Sequence, residues 1–584
     1  MGATKVKQIQ PGIPRWRFAL VAACLVVMCG ALVVHLAKLQ VVPSEDRGFE
    51  FLQEEGRART LRTESIAAYR GSIVDRNGEQ LAVSTPVSTV WANPKQLAQA
   101  ADRLPQLASA LGMSEKALRA KLKNYRNKEF MYLKRRVDPS EAQQVLALDV
   151  PGVFERSEYR RYYPAGEVAA HIVGFTDIDD RGQEGMELAF DEWLNGTPGK
   201  KRVVKDLKGR VVQDLALLEE AQPGGNLQLT IDLRLQYLAY RELKAAVAEN
   251  NASSGSMVIL DADTGDVLAM VNQPSFNPND RKTAKPGTTR NRAITDQIEP
   301  GSVMKALTMM AALESGRFTP ASVFQTSPGW IHIGGKTFKD PVNYGSLDLA
   351  GILMKSSQVG TTKLAMELEP DAVRDLFYRA GLGESVGTGF PGESAGKLPS
   401  RTRWHPVERA NFAFGYGLTV SALQLAQAYN VIANKGVKKS VNLVVGDAAV
   451  HTEEQVVEEK VAKQVVRMMT TVTGDAGTGK RARVEGYTVA GKTGTARKVT
   501  SKGYSEDRHR SVFAGFIPAD EPRLVAAIVV EDPGNEKYHG GDVAAPVFGK
   551  VMESAMRMLG ESPESDRDPA KQLAAQVQKR ETAI

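Results

Sequence analysis

A chain of 584 residues exceeds one ordinary domain, and a hydrophobic content of 42% with 24% charged residues is that of a globular protein, so two large modules are expected. The net charge of +7 is modest for this length and no concentrated basic stripe is present, which argues against a nucleic-acid-binding protein. The seven histidines are scattered without an H-E-x-x-H or Cys-His cluster, so no metal site is expected.

Residues 1–17 hold Lys5, Lys7, Arg15 and Arg17 and no acid. Phe18 to Leu36 is then a run of 19 residues without Asp, Glu, Lys or Arg, long enough to cross a bilayer. The basic flank places the short tail in the cytoplasm and the rest of the chain beyond the membrane. We read residues 18–39 as an uncleaved membrane helix. The competing reading, a cleaved signal peptide, is disfavoured because the run is long for an h-region and no A-x-A-like site follows it. The only two cysteines, Cys24 and Cys29, fall inside the run. The exported part therefore has no thiol to pair, its stability must come from its core, and cysteine catalysis is excluded there.

Residues 40–60 are polar and charged, a juxtamembrane linker. Residues 61–220 mix short strand patterns with a helical stretch from Leu104 to Leu122 that restarts at Ser114. They show no catalytic constellation, and we expect a pedestal that offers docking surface. Pro223-Gly224-Gly225-Asn226 marks a boundary, and residues 221–560 form the second module. There Leu227 to Ile231 alternates as a strand and Leu235 to Ala248 has helical spacing. Met257–Asp261 and Val267–Val271 read as buried strands joined by the hairpin signal Asp263-Thr264-Gly265-Asp266. Apolar helices follow, then a third strand over Tyr487 to Thr495 and a fourth over Leu524 to Val530. The prediction is an α+β domain, an antiparallel sheet packed between helices. Residues 561–584 read as a flexible charged tail.

The chemistry concentrates at Ser302-Val303-Met304-Lys305, just after Glu299-Pro300-Gly301. The apolar run Ala306 to Leu313, bracketed by Pro, Gly and Gly316, predicts a buried helix. Residues three apart share a helix face, so the Ser302 hydroxyl and the Lys305 amine can meet at its N-terminus. A desolvated lysine loses its charge more easily and can take the hydroxyl proton. A second Ser-x-x-Lys, Ser394 to Lys397, lies among glycines and prolines and reads as a solvated loop. Further on, Lys492-Thr493-Gly494-Thr495 sits on a predicted strand edge with small hydroxyls and a close-approach glycine.

A Ser-x-x-Lys helix followed by a Lys-Thr-Gly strand resembles the motif set of penicillin-binding proteins and serine β-lactamases. The family's third element, Ser-x-Asn, matches Ser356-Ser357-Gln358, with Gln in place of Asn. Ser440-Val441-Asn442 fits literally but stands too close to the Lys-Thr-Gly, and we treat it as a decoy. Asn291 to Asp296 leading into Glu299-Pro300-Gly301, Phe414-Gly415-Tyr416-Gly417-Leu418, Tyr538-His539-Gly540-Gly541, and upstream Arg70 to Gly78 and Gly182 to Glu187 are similar to further motifs of the class B penicillin-binding proteins. The likeness spans roughly residues 60 to 555 and is greatest to the division-specific members.

The resemblance implies a serine D,D-transpeptidase that cross-links peptidoglycan stem peptides and is acylated by β-lactams. In it Ser302 is the nucleophile, Lys305 the base and Ser356 the proton donor to the leaving group. Backbone N–H groups of Ser302 and Thr495 stabilise the oxyanion. Lys492, Thr493 and Thr495 hold the substrate carboxylate, with Gly494 between them. Gln358 stands where the family's Asn helps to fix the lysine and contacts the substrate, and its longer stem is expected to weaken acylation. No cofactor is implied. The implied setting is the bacterial inner membrane, with the catalytic domain periplasmic and working beside other divisome proteins. The implied partner for glycan polymerisation is a SEDS-type glycosyltransferase of the FtsW kind. The alternatives that stay open are a condition-specific paralogue or a fold that binds β-lactam with weakened catalysis, and a carboxypeptidase or other hydrolase using water in place of an amine.

Overall fold

The computed structural model describes residues 14–40, 61–206, 211–401, 403–446, 451–500, 503–534 and 536–564. The expected linker at 40–60, apart from Gln40, and most of the tails lie outside them. Helix α1, Arg15–Gln40, contains the apolar run, and its stretch Arg15–Lys38 is long and apolar enough to cross a membrane.

The chain divides into two compact units, each built from separated stretches of sequence. The first comprises residues 1–68, 86–158 and 197–222. It holds an antiparallel sheet of β1 (Leu61–Ile66), β2 (Gly199–Lys205) and β3 (Val211–Glu219), in that order. A separate core gathers Val90, Leu104, Leu107, Leu118, Leu133 and Val145. The helical stretch predicted from Leu104 is two helices, Leu104–Ala110 and α2, Glu115–Tyr125. Ser114 separates them because its hydroxyl accepts the Ala117 N–H and caps α2.

The second unit comprises residues 69–85, 159–196 and 223–584. The upstream motifs Arg70 to Gly78 and Gly182 to Glu187 thus fold in the same unit as Ser302, Lys305 and Lys492. Helix α3, Leu233–Glu249, starts where the Asp232 carboxylate caps the Arg234 N–H, and it buries Leu235, Leu238, Ala239, Leu243 and Ala246 along one face. The central sheet has β4 (Ser254–Asp261), β5 (Val267–Gln273), β6 (Ala490–Thr500), β7 (Gly503–Ile517) and β8 (Leu524–Glu531), in the antiparallel order β5–β4–β8–β7–β6. Registers such as Met257↔Val271, Met257↔Ile528, Phe513↔Ile528 and Thr493↔Phe513 tie it together.

Side chains alternate across a strand, and here both faces are covered. Met257, Ile259, Phe513 and Ile528 pack against α3 and the C-terminal helix α10, Gly540–Met558. Val258, Leu260, Ala514 and Val525 pack into the larger core of the helical lobe. That lobe contains α4 (Lys305–Glu314), α5 (Leu349–Lys355), α6 (Gln358–Glu367), α7 (Pro406–Ala413), α8 (Ala422–Ala433) and α9 (Glu459–Thr473). The α+β prediction holds, with the β4–β5 hairpin turning at Gly265 in the left-handed region, φ +79°. The sheet has one strand more than predicted, β7. Its first half, Tyr504 to Arg510, is polar and reads as loop.

Candidate active site

The backbone at the head of α4 turns through Gly301, φ +66°, into a short 3₁₀ segment, Gly301–Met304, that holds Ser302. Lys305 then opens the α-helix, buried like every α4 residue through Leu313. Ser302 is half-buried, and its hydroxyl makes no hydrogen bond to another described residue. The turn is braced from behind. Tyr429 on α8 donates its buried hydroxyl to the Val303 carbonyl at 2.7 Å, and Thr308 donates to the Ala413 carbonyl at 2.6 Å. Gly415 follows α7 with φ +86°, and a Cβ there would lie 2.1 Å from the Gly301 carbonyl oxygen. The Phe-Gly-Tyr-Gly sequence is thereby read as a backbone-to-backbone contact that only glycine permits.

The Lys305 amine reaches across to the end of α5. Its Nζ donates to the Ser356 carbonyl at 2.6 Å and lies 3.2 Å from Ser356 Oγ and 3.3 Å from the Ser357 carbonyl. Ser356 is left-handed, φ 56° and ψ 37°, and this conformation turns both its oxygens to one amine. A non-glycine residue there costs about 1–2 kcal/mol, and the hydrogen bonds to Lys305 hold it in place. The Lys305 amine has these three acceptors, and no hydrogen bond joins it to the Gln358 amide. Gln358 is the first residue of α6, and it lines a neighbouring cavity of about 450 Å³.

Asp340 escaped the sequence reading. Its carboxylate accepts the Ser357 hydroxyl at 2.6 Å, the Gln358 N–H at 2.6 Å and the Val359 N–H at 3.2 Å. A carboxylate at a helix N-terminus satisfies donors that have no intrahelical partner. Asp340 therefore pins the segment whose carbonyls hold Lys305. An Asp followed by Pro341 after a short hairpin is an ordinary turn pattern, so sequence offered no sharper signal.

Edge strand β6 brings the remaining predicted residues. Lys492, also fully buried, places Nζ 3.0 Å from Ser356 Oγ and 3.0 Å from the Thr493 carbonyl. The Thr493 hydroxyl pairs with Thr478 at 2.7 Å, and the Thr495 hydroxyl accepts the Gly540 N–H at 3.1 Å. Thr478, too, was not foreseen. A Cβ on Gly494 would stand 2.9 Å from the Pro300 carbonyl oxygen and 3.0 Å from Val303 Cγ1, which is why glycine occupies the point where the strand meets the Ser302 turn. The structure thus gathers Lys305, Ser356 and Lys492 around one hydroxyl, with Ser302 one helical turn before Lys305.

The two other motif matches lie elsewhere. Ser394 is in a loop as expected but buried, corrected from solvated, while Lys397 is exposed. Asn442 is buried beside the β4–β5 turn, its carbonyl accepting the Val267 N–H.

Burial dictates the electrostatics. Loss of water pulls the Lys305 pKa down from 10.5 to about 7, with the nearby Asp340 charge offsetting part of the effect. Burial, and then the Lys305 charge, hold Lys492 well below the ordinary ammonium range. Two amines with lowered pKa values share one hydroxyl. A neutral amine can take a proton from a serine, and a hydroxyl between two amines can pass one on.

A half-exposed serine on a helix start, a desolvated lysine and an open strand edge define an acyl-transfer serine enzyme. Residues 255–553 match the penicillin-binding protein transpeptidase domain, and residues 65–229 match the penicillin-binding protein dimerisation domain. The chain is 42% identical over 555 residues to peptidoglycan D,D-transpeptidase FtsI of Escherichia coli (strain K12), covering 94% of this chain and 93% of that one. It is 40% identical over 553 residues to the probable peptidoglycan D,D-transpeptidase PbpC of Pseudomonas aeruginosa, covering 95% and 97%. The structure of penicillin-binding protein 3 from Mycobacterium tuberculosis complexed with ampicillin superposes with a TM-score of 0.66 at 30% identity, covering 87% of this chain and 98% of that one. The chain belongs to the penicillin-binding protein transpeptidase family. It is a serine transpeptidase.

Proposed function

We propose that this chain cross-links peptidoglycan stem peptides, with Ser302 as nucleophile and Lys305 as base. The observation that carries the reading is the shared Ser356 hydroxyl, 3.2 Å from the Lys305 amine and 3.0 Å from the Lys492 amine, beside the Ser302 turn. Neutral Lys305 takes the Ser302 proton as Oγ attacks the carbonyl of the penultimate D-alanine, and the N–H groups of Ser302 and Thr495 receive the oxyanion. Collapse breaks the peptide bond. The departing D-alanine nitrogen takes a proton from Ser356, which Lys305 or Lys492 replaces. The acyl ester is then attacked by the side-chain amine of a second stem, whose proton returns through the same groups to Ser302. One amide is exchanged for another, so no external energy source is required. Lys492 with the Thr493 and Thr495 hydroxyls holds the donor carboxylate, and edge strand β6 pairs with the extended peptide.

A β-lactam follows the same first step. Its leaving nitrogen stays tethered in the site and blocks the incoming amine. The structural relative carrying ampicillin supports this reading. We place the chain in the inner membrane by α1, N-terminus cytoplasmic and catalytic unit periplasmic. There it serves the division septum with a SEDS-type glycosyltransferase of the FtsW kind and other divisome proteins, a role supported by the likeness to FtsI. Mass spectrometry of the chain after labelled penicillin tests the chemistry. An adduct on Ser302 is expected, and an adduct on another side chain, or none, overturns it.

A further inference from the structure

The first unit carries a strip of aromatic rings that none of the buried cores among the described residues absorbs. Strand Gln80–Ala92 lies between Met131–Val137 and Val153–Tyr162, with Trp91 opposite Tyr132. Val90, Ala92, Met131, Leu133 and Val153 face the core of the unit, so Trp91, Tyr132 and Phe154 stand on the other face of the sheet. The Trp91 ring centroid is 4.7 Å from that of Phe154 and 4.9 Å from that of Phe130. Phe130 meets Tyr132 edge-on at 4.7 Å, and the Arg135 guanidinium ends the row 4.6 Å over the Tyr132 ring. Phe130 is 39% exposed and the other three rings are half-buried.

Charge around the strip is lopsided. Its acids are engaged: Glu129 pairs with Lys95 at 3.1 Å, Glu158 pairs with Arg135 at 3.2 Å, and Glu155 accepts the Ser88 hydroxyl. Arg126, Lys128 and Arg156 are exposed and have no ion-pair partner among the described residues. Arg156 shares the strand face of Phe154, two residues back, and Arg126 and Lys128 lead into Phe130. An apolar protein segment laid on the rings would leave these cations unmatched. A sugar polymer with carboxylates matches both features. The C–H face of a pyranose packs on the negative face of an aromatic ring, and the carboxylates meet the cations.

We propose that this strip is a glycan-binding platform, and that it receives the glycan strand of peptidoglycan in the unit that does not contain Ser302. Holding the polymer in one unit raises the effective concentration of its stems at the other. The proposal rests on the transpeptidase reading, which names the polymer.

The test uses the full chain in detergent, with Ser302 first acylated by benzylpenicillin so that the catalytic centre is closed. The probe is a fluorescent denuded glycan, alternating N-acetylglucosamine and N-acetylmuramic acid with free lactyl carboxylates, and binding is read by anisotropy. The acylated chain is expected to bind it. Phe130→Ala should weaken binding about tenfold, the worth of one stacked ring, with penicillin acylation and the melting temperature unchanged. Phe130→Tyr should retain it. Arg156→Glu should weaken it several-fold at low salt and leave the affinity for chitohexaose, which has no carboxylate, unmoved. No binding by the acylated chain, binding that Phe130→Ala leaves unmoved, or equally tight binding of an oligothymidylate overturns the platform and leaves acylation of Ser302 standing. A chain that forms no benzylpenicillin adduct overturns the parent reading and the platform with it.

Discussion

The catalytic unit buries positive charge in two places and treats it in opposite ways. Arg70 of the first upstream motif and Arg161, outside both, sit at 1% side-chain exposure on either side of Glu187, each placing Nε 2.6 Å from a different carboxylate oxygen. Arg70 also bonds Asp191 at 2.6 Å, Asn195 at 2.8 Å and the Glu187 carbonyl at 2.7 Å. At the active site Lys305 and Lys492 are buried as completely, but their acceptors are neutral carbonyl and hydroxyl oxygens. Arginine keeps its charge at any accessible pH and must be compensated, whereas lysine can surrender its proton. Compensated cations fix a shape, and an amine without a carboxylate partner is free to exchange its proton.

The largest expected effect falls on the uncompensated side. Lys305→Met should slow acylation by labelled penicillin about 10³-fold and lower the melting temperature modestly, because the Ser356 and Ser357 carbonyls lose their donor. In the natural chain, stopped-flow acylation should quicken as pH rises through about 7, where Lys305 loses its proton. The linkage has a definite sign. With the folded pKa near 7 and the ordinary value at 10.5, the folded state holds fewer protons across that window, so this group's contribution to stability improves as pH climbs through it. Lys305→Met should remove that slope from thermal melts.

The compensated side should fail as structure. Glu187→Gln leaves two arginines around a neutral amide and should cost about 3–5 kcal/mol in urea unfolding, while the protein that remains folded still acylates. Loss of the adduct without loss of stability would reverse the contrast drawn above. The smallest effect is expected at Gln358→Asn. Because residue 358 borders the cavity and does not hold Lys305, shortening it should raise penicillin acylation a few-fold without moving its pH dependence. A slower Asn variant, or a shifted pH midpoint, would assign the residue to the base after all.

Much of this was legible in sequence because it is local. The Ser302 to Lys305 spacing, the Ser114 cap, the Asp263 to Asp266 turn and the Lys-Thr-Gly strand each need only a few neighbouring residues to be understood. Asp340, Thr478 and Tyr429 were not legible, since each acts on a partner more than a dozen residues away in the chain. Their side chains are ordinary until the fold sets them against Ser357, Thr493 and Val303. Strand β7 was hidden for another reason. Its polar half carries the exposed Glu506, Asp507 and Arg508 on a hairpin, where no apolar alternation is required.

The open edge of β6 has a consequence for life in a crowded compartment. A strand left unpaired for cargo is equally available to any extended chain, including a second copy of itself. Beyond Thr495 the strand continues as Ala496-Arg497-Lys498, and its hairpin partner adds Arg508 and Arg510. Lys498, Arg508 and Arg510 are ion-paired with Glu531 and Asp532, so Arg497 is the cation of this stretch left, among the described residues, to meet a second such edge as a like charge.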